Sequence, residues 1–340
     1  MLQMNKIMFA ISMVTGTLIS ISSYSWLGMW MGLEMNLLSI IPLMSDSKNL
    51  YASEAALKYF ITQAMASSIL IFAIIINMVM ESTLNNLSPN VLSSTLMNTA
   101  LLTKMGAAPF HFWFPEIIDG LNWNNCLIML TWQKIAPMAI MMYNIQDTLF
   151  LSFIILFCMI VSGIVGLNQI SLRKIMAYSS INHMGWMIGS MMLLETIWVY
   201  YFLIYAAIST CIVIMLKSTN IFYMKQLMEV MTNKPLMKFT FILNFLSLGG
   251  LPPFLGFLPK WMIIQSLVES GLIVTAMIMV VMTLLTLFYY LRLSYSSLIL
   301  GSLKLNISQE PMTPKLPMMM ACNFIALSGL IFCTMMFNWM

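Results

Sequence analysis

The chain has 340 residues, of which 61% are hydrophobic and only 8% charged, with a formal net charge of +4. An ordinary soluble domain carries about 25% charged residues, so this balance excludes one. No polar or charged run is long enough to hold a separate soluble domain, whereas spans of the ~20 apolar residues that cross a bilayer recur along the whole chain.

In chain order the apolar runs predict eleven spans. The first two lie near 2–21 and 25–43. The first has one early lysine, Lys6, and no small-residue cleavage site, which predicts a retained helix rather than a removed targeting segment. The second carries Glu34, eight residues past Trp26 and eight before Pro42, and therefore near mid-membrane. A third span lies near 57–80. The fourth, near 91–114, carries Lys104 two residues before Gly106, then Pro109 and His111. The fifth, near 126–144, carries Lys134, with Pro137 predicted to loosen the helix just after it. A sixth lies near 148–168. The seventh, near 175–194, holds His183, with Ser179, Ser180 and Asn182 placed to hold water beside it. An eighth near 196–217 leads into a basic, apolar stretch over 217–238 that reads as an amphipathic segment on the membrane surface. The ninth, near 239–268, carries Lys260, and the last two lie near 271–294 and 316–338. Turn residues mark the breaks, among them Asp46-Ser47-Lys48-Asn49, Asn85-Asn86-Leu87-Ser88-Pro89-Asn90, and the stretches 122–125 and 311–317. The pairs Gly28 with Gly32 and Gly185 with Gly189 have the spacing of closely packed membrane helices.

Two of these spans are alike. The fourth reads Gly106-Ala107-Ala108-Pro109-Phe110-His111-Phe112-Trp113-Phe114-Pro115, and the ninth reads Gly250-Leu251-Pro252-Pro253-Phe254-Leu255-Gly256-Phe257-Leu258-Pro259. Glycine, Pro-Phe and a second proline recur at the same offsets, so both helices are expected to break there. They lie five spans apart, an odd number, and so cross in opposite directions. The expected architecture is an all-α polytopic membrane protein, one domain over 1–340. It comprises two inverted five-helix repeats, about 1–144 and 148–294, with broken helices 4 and 9 and a C-terminal helix at about 316–338.

Charge sorts with this count. Lys6, Lys48, Lys58, Arg173, Lys174, Lys217, Lys225, Lys234, Lys238, Arg292, Lys304 and Lys315 fall on one side, and Glu81, Asp147, Glu195 and Glu269 on the other. The pattern is positive-inside. The five cysteines, Cys126, Cys158, Cys211, Cys322 and Cys333, form no CxxC pair, and neither a GxGxxG nor a Walker loop is present. Metal and nucleotide sites are therefore not expected. The 39 methionines replace isoleucine in runs such as Met318-Met319-Met320, which fits the animal mitochondrial code better than a Met-lined groove.

Glu34, Lys104, Lys134 and Lys260 are the costly residues. A charge at mid-bilayer costs at least about 2.5–3.5 kcal/mol on insertion scales and marks an ion path by default. Burial and an approaching opposite charge act in opposite directions on protonation, so a carboxylate that moves toward or away from a lysine can make it hold or release a proton. Arginine stays protonated and cannot serve this way; every intramembrane base here is lysine. The expected relay is Glu34, Lys104, Lys134, His183 and Lys260, with a weaker place for His111. Neighbouring helices pack about 8–10 Å apart, so water must bridge the gaps. A stand-alone cation/proton antiporter and a non-conducting structural spacer are the competing readings.

The run Leu101-Leu102-Thr103-Lys104-Met105-Gly106-Ala107-Ala108-Pro109-Phe110-His111-Phe112-Trp113-Phe114-Pro115-Glu116, together with Met176-Ala177-Tyr178-Ser179-Ser180-Ile181-Asn182-His183-Met184-Gly185, resembles the antiporter-like membrane subunits of respiratory complex I. The resemblance covers the whole chain. Its length and Met-rich code are similar to the short animal form, in particular that of invertebrates, which lacks three N-terminal helices of bacterial relatives. It implies proton translocation coupled to electron transfer from NADH to ubiquinone, with Glu34, Lys104, Lys134, His183 and Lys260 at the family's relay positions. It also implies that NADH, FMN, iron–sulfur clusters and ubiquinone are bound in other subunits, and that no redox site lies in this chain. Chains 4L and 4 are the implied neighbours in the mitochondrial inner membrane. The N-terminus would face the matrix and the C-terminus the intermembrane space. Basic matrix-side residues could meet anionic lipid such as cardiolipin, and no nucleic acid is involved.

Overall fold

The computed structural model describes residues 2–46, 49–83, 91–145, 147–227, 235–252, 254–299 and 324. Among them are thirteen helices: α1 Leu2–Ser22, α2 Trp26–Met44, α3 Leu50–Thr83, α4 Val91–Met105, α5 Trp113–Gly120, α6 Trp123–Leu130, α7 Trp132–Met142, α8 Thr148–Leu167, α9 Leu172–Met191, α10 Glu195–Thr219, α11 Pro235–Gly249, α12 Phe257–Glu269 and α13 Ile273–Ile299. Outside the described residues lie the expected eleventh span (except Phe324), Cys322, Cys333, Lys48, Lys234, Lys304, Lys315 and the turns at 84–90 and 311–317.

Among the described residues, six helices are long and apolar enough to cross a membrane: Met4–Ser22, Trp26–Met44, Leu50–Val79, Thr148–Leu167, Glu195–Thr219 and Ile273–Tyr295. They coincide with spans 1, 2, 3, 6, 8 and 10. The four remaining spans within the described residues fall short of that measure, and they are the four that carry Lys104, Lys134, His183 and Lys260. Three are broken into shorter helices, and the fourth, α9, is too polar. Such elements are tolerated at membrane depth where protein rather than lipid surrounds them. Accordingly, every residue of α9 from 175 to 191 is buried.

The chain divides into two compact units, Met1–Ile154 and Ile155–Met340. In the first, α1 lies against α2, α3 packs on α2, α4 and α5, and α7 packs on α4 and α1. The α1/α2 crossing is built on small residues. A Cβ added to Gly32 would stand 2.5 Å from the Ser20 amide nitrogen, and one added to Gly16 would stand 2.9 Å from that of Asn36. Of the expected packing pair, Gly32 makes the crossing, whereas Gly28 lies nearest Ser23 and Ser25 just before its own helix. Gly16 is the residue across the crossing. In the second unit α9 packs on α10, α12 and α13, and α11 on α10 and α13. Gly185 sits against Cys158 and Met159 of α8, as its spacing predicted.

Both expected breaks are present. Helix α4 ends at Met105 and Gly106 follows at φ 73°; α11 ends at Gly249 and Gly250 follows at φ 76°. This left-handed backbone is open to glycine at no steric cost and stops a helix cleanly. Helical structure resumes at Trp113 and Phe257. In the fifth span the break falls elsewhere than expected. Pro137 lies inside α7, and the interruption comes before Lys134, at Thr131 between α6 and α7. Pro137 removes the bond to the Gln133 carbonyl, but the helix continues through it, and the interruption lies six residues earlier. The stretch after α10 is likewise more tightly held than a surface helix: Ile221 and Leu227 are buried, and the Leu172 amide donates to the Phe222 carbonyl at 2.9 Å.

Replacing Gly32 by valine forces α1 and α2 apart. Overpacking of this kind costs about 1–3 kcal/mol, and a lowered thermal unfolding midpoint in detergent, larger than for Gly28→Val, is the expected result.

Candidate functional site

In the first unit the end of α4 is a junction. The Lys104 Nζ lies 3.9 Å from the Glu34 Oε1 of α2, and the two side chains are 3% and 24% exposed. This is an ion pair too long for a hydrogen bond. Carbonyls at a helix end lack intrahelical donors, and here other side chains supply them. Gln63 Nε2 donates to the Lys104 carbonyl at 3.3 Å, and Trp113 Nε1 donates to that of Thr103 at 3.1 Å. With those oxygens satisfied by neutral donors, the ammonium is directed at the carboxylate. His111 lies in the segment between α4 and α5, buried, with Nδ1 3.3 Å from the Pro109 carbonyl.

Lys134 of α7 is 1% exposed, and its ammonium lies 5.5 Å from the centre of the Phe114 ring, within cation–π range. Phe114 also lies against Gly106. One aromatic side chain therefore touches both the α4 break and the Lys134 amine. Beside Lys134, Gln133 forms a reciprocal amide pair with Asn36 of α2: Asn36 Nδ2 donates at 3.0 Å and Gln133 Nε2 donates back at 2.9 Å. The Tyr59 hydroxyl of α3 donates to the same Gln133 oxygen at 3.4 Å. All three are buried. The pair ties the helix of Glu34 to the helix of Lys134 two residues from one and one residue from the other. A second polar knot lies at the start of α4, where Ser94 donates to Asp147 at 3.1 Å and Asn98 and Asn144 exchange bonds.

In the second unit Lys260 of α12 reaches back across its break. Its Nζ donates to the Gly249 carbonyl at 2.9 Å, at the C-terminus of α11, where the helix dipole favours a cation. Gly250 serves twice here: a Cβ would stand 2.9 Å from the lysine Nζ. The ammonium lies 5.9 Å from the centre of the Trp186 ring, three residues beyond His183 on α9. His183 is buried, with Nδ1 2.8 Å from the Tyr201 hydroxyl and its ring 4.9 Å from that of Tyr205. Asn182 donates to Thr286 at 3.4 Å.

The structure thus joins Glu34 with Lys104, sets Lys134 beside the Phe114 ring, brings Lys260 to the Trp186 ring of α9, and sets His183 of the same helix against Tyr201 and Tyr205. All three lysine amines are buried, none at a helix end facing outward. Sequence reasoning missed Asn36, Gln133, Gln63 and Tyr59. The first two carried a usable signal, as amides within two residues of a mid-span charge. The tyrosines around His183 carried none, since aromatic residues are common in membrane helices.

Residues 23–286 match the family of the transmembrane region of NADH:quinone oxidoreductase/Mrp antiporter proteins. The NADH-ubiquinone oxidoreductase chain 2 of Anopheles gambiae is 50% identical over 337 residues, covering 97% of each chain. That of Locusta migratoria is 45% identical over 97% of this chain and 96% of its own. A chain of respiratory complex I from Thermus thermophilus, solved with bound aureothin, shares the fold at 23% identity, with a TM-score of 0.83 over 96% of this chain and 78% of that one.

The amide pair gives a double-mutant test. Asn36→Leu or Gln133→Leu alone strands a buried amide at a cost of about 1–3 kcal/mol. The double variant should be less destabilised than the sum of the two by at least about 0.5 kcal/mol, read from thermal unfolding in detergent.

Proposed function

This chain belongs to the NADH-ubiquinone oxidoreductase chain 2 family, and we propose that it moves protons through its interior by the row Glu34, Lys104, Lys134, His183 and Lys260. It is a multi-pass subunit of respiratory complex I in the mitochondrial inner membrane, where the other subunits of the complex are its partners. It takes part in NADH:ubiquinone reduction as a member of that assembly.

The pair of buried Lys104 with partly exposed Glu34 is the observation that carries the relay reading. At about 4 Å and an effective dielectric of ~20, two unit charges attract by on the order of 4 kcal/mol. A tenfold change in proton affinity corresponds to only about 1.4 kcal/mol. Making or breaking this contact is therefore large enough to load or unload a proton. Glu34 is partly exposed, 24% against 3% for Lys104, so a neighbouring subunit can move or protonate it; Lys104 lies deep at the broken end of α4. Redox chemistry elsewhere in the complex supplies the drive, and the charge passes from one titratable group to the next through intervening water. The matching breaks, each opened by a positive-φ glycine at Gly106 and Gly250 in spans that lie five apart, support two inverted repeats, about 1–144 and 148–294. The basic residues then face the matrix with the N-terminus, and the C-terminus lies in the intermembrane space. Chains 4L and 4 are the proposed neighbours, and cardiolipin a proposed lipid contact. NADH, FMN, iron–sulfur clusters and ubiquinone are proposed to act in other subunits.

Lys104→Met and Glu34→Gln should each lower proton translocation and coupled turnover severalfold while the complex still assembles. A normal proton-to-electron ratio in either variant rules out the relay role. Replacing Lys134 and Lys260 together by leucine without functional loss would instead favour a passive spacer.

A further inference from the structure

We propose that Tyr201, Tyr205, Tyr289 and Tyr290 form a hydroxyl relay with Ser179 and Ser180 that serves His183. The proposal rests on the proton-translocating reading above and extends it to groups that carry no charge.

The four tyrosines come from two helices, α10 and α13, and converge on α9. They are 2%, 3%, 1% and 1% exposed. The Tyr201 hydroxyl lies 2.8 Å from His183 Nδ1. The Tyr205 ring lies against the imidazole, and its hydroxyl is beside that of Ser180. Tyr290 sits with its hydroxyl beside Ser179, and Tyr289 donates to it at 3.5 Å. The two serines donate their own protons along α9, to Met176 and Ala177, each at 2.7 Å. Their oxygens therefore keep lone pairs to accept from tyrosine.

Packing alone does not account for this cluster. Phenylalanine fills nearly the same space, and it avoids the roughly 1–3 kcal/mol that a buried hydroxyl costs unless partnered. Here two such tyrosines, Tyr201 and Tyr205, lie against one imidazole, and Tyr289 and Tyr290 pair with each other beside Ser179, on a helix that already buries Ser179, Ser180 and Asn182. A hydroxyl is both donor and acceptor. It takes a proton on its lone pair while passing its own O–H proton to the next oxygen, so no group retains a charge and no bond to carbon changes. Rotation of the O–H bonds resets the chain. At Tyr201 the proton is exchanged with His183 Nδ1, and water spans separations beyond hydrogen-bond reach. Tyr205 and Tyr290 then form the stretch between that imidazole and the Leu172 end of α9.

The test uses the whole complex in inner-membrane vesicles, with tyrosine replaced by phenylalanine so that ring packing is kept. Tyr201→Phe and the double variant Tyr205→Phe/Tyr290→Phe should each assemble normally, pass electrons from NADH to an artificial acceptor at the normal rate, and lose about tenfold or more in coupled proton translocation. Lys104→Met runs in parallel. Wild-type proton translocation in both phenylalanine variants, with Lys104→Met impaired, overturns the tyrosine relay and leaves the lysine row standing. Wild-type behaviour in all three variants overturns both. If the double variant fails to assemble, Ser179→Ala/Ser180→Ala removes the accepting oxygens without touching a ring. A tenfold loss there supports the relay, and no loss overturns it.

Discussion

A lysine amine inside an apolar bundle needs an oxygen or a π face close by, and in this chain broken helices create such sites. Ending α4 at Met105 puts Lys104 in a last turn whose carbonyls are taken by Gln63 and Trp113, so its amine turns to Glu34. Ending α11 at Gly249 leaves carbonyls that Lys260 takes for itself. The same backbone device, a glycine at positive φ after the last turn, gives two different electrostatic outcomes. One lysine is poised against a carboxylate, and the other is held by a helix terminus. A continuous helix at either place would bury the amine against side chains alone.

Holding such charges at depth demands a rigid polar scaffold, and amide and hydroxyl groups provide it. The Asn36–Gln133 pair fixes the helix of Glu34 against that of Lys134 through two bonds that satisfy each other, with Tyr59 adding a third. Neutral groups suit this task because they order the helices without adding another charge to be desolvated. The α1/α2 crossing over Gly16 and Gly32 does the equivalent for α2 by close backbone contact. Among the described residues, the spans that carry Lys104, Lys134, His183 and Lys260 are thus less lipid-like than α1, α2, α3, α8, α10 and α13, which have the length and hydropathy the bilayer requires.

Much of the site was legible before any coordinates. An isolated charge in an apolar run is expensive, so Glu34, Lys104, Lys134 and Lys260 identified themselves, and Gly106 and Gly250 announced the breaks. The Pro137 expectation missed the position of the interruption: the helix runs on through the proline and breaks instead at Thr131, six residues before it. The Gly28 expectation failed because spacing cannot tell which glycine of a pair faces the neighbour. Tyr201, Tyr205, Tyr289 and Tyr290 were illegible because nothing local distinguishes a tyrosine aimed at a histidine from one that fills a groove.

By itself the sequence determined that this is an all-helical membrane protein, where two of its helices break at Gly106 and Gly250, and which titratable side chains lie within apolar spans. Each follows from local chemistry: hydropathy over a span, the conformational freedom of glycine, the missing amide of proline. Only the tertiary structure decided what each charge meets. That Lys104 faces Glu34, that Lys260 turns back to Gly249, and that Gln133 finds Asn36 across 97 residues depend on how helices distant in sequence cross. Crossing is set by side-chain volume and backbone approach summed over whole helices, which no window of the chain contains.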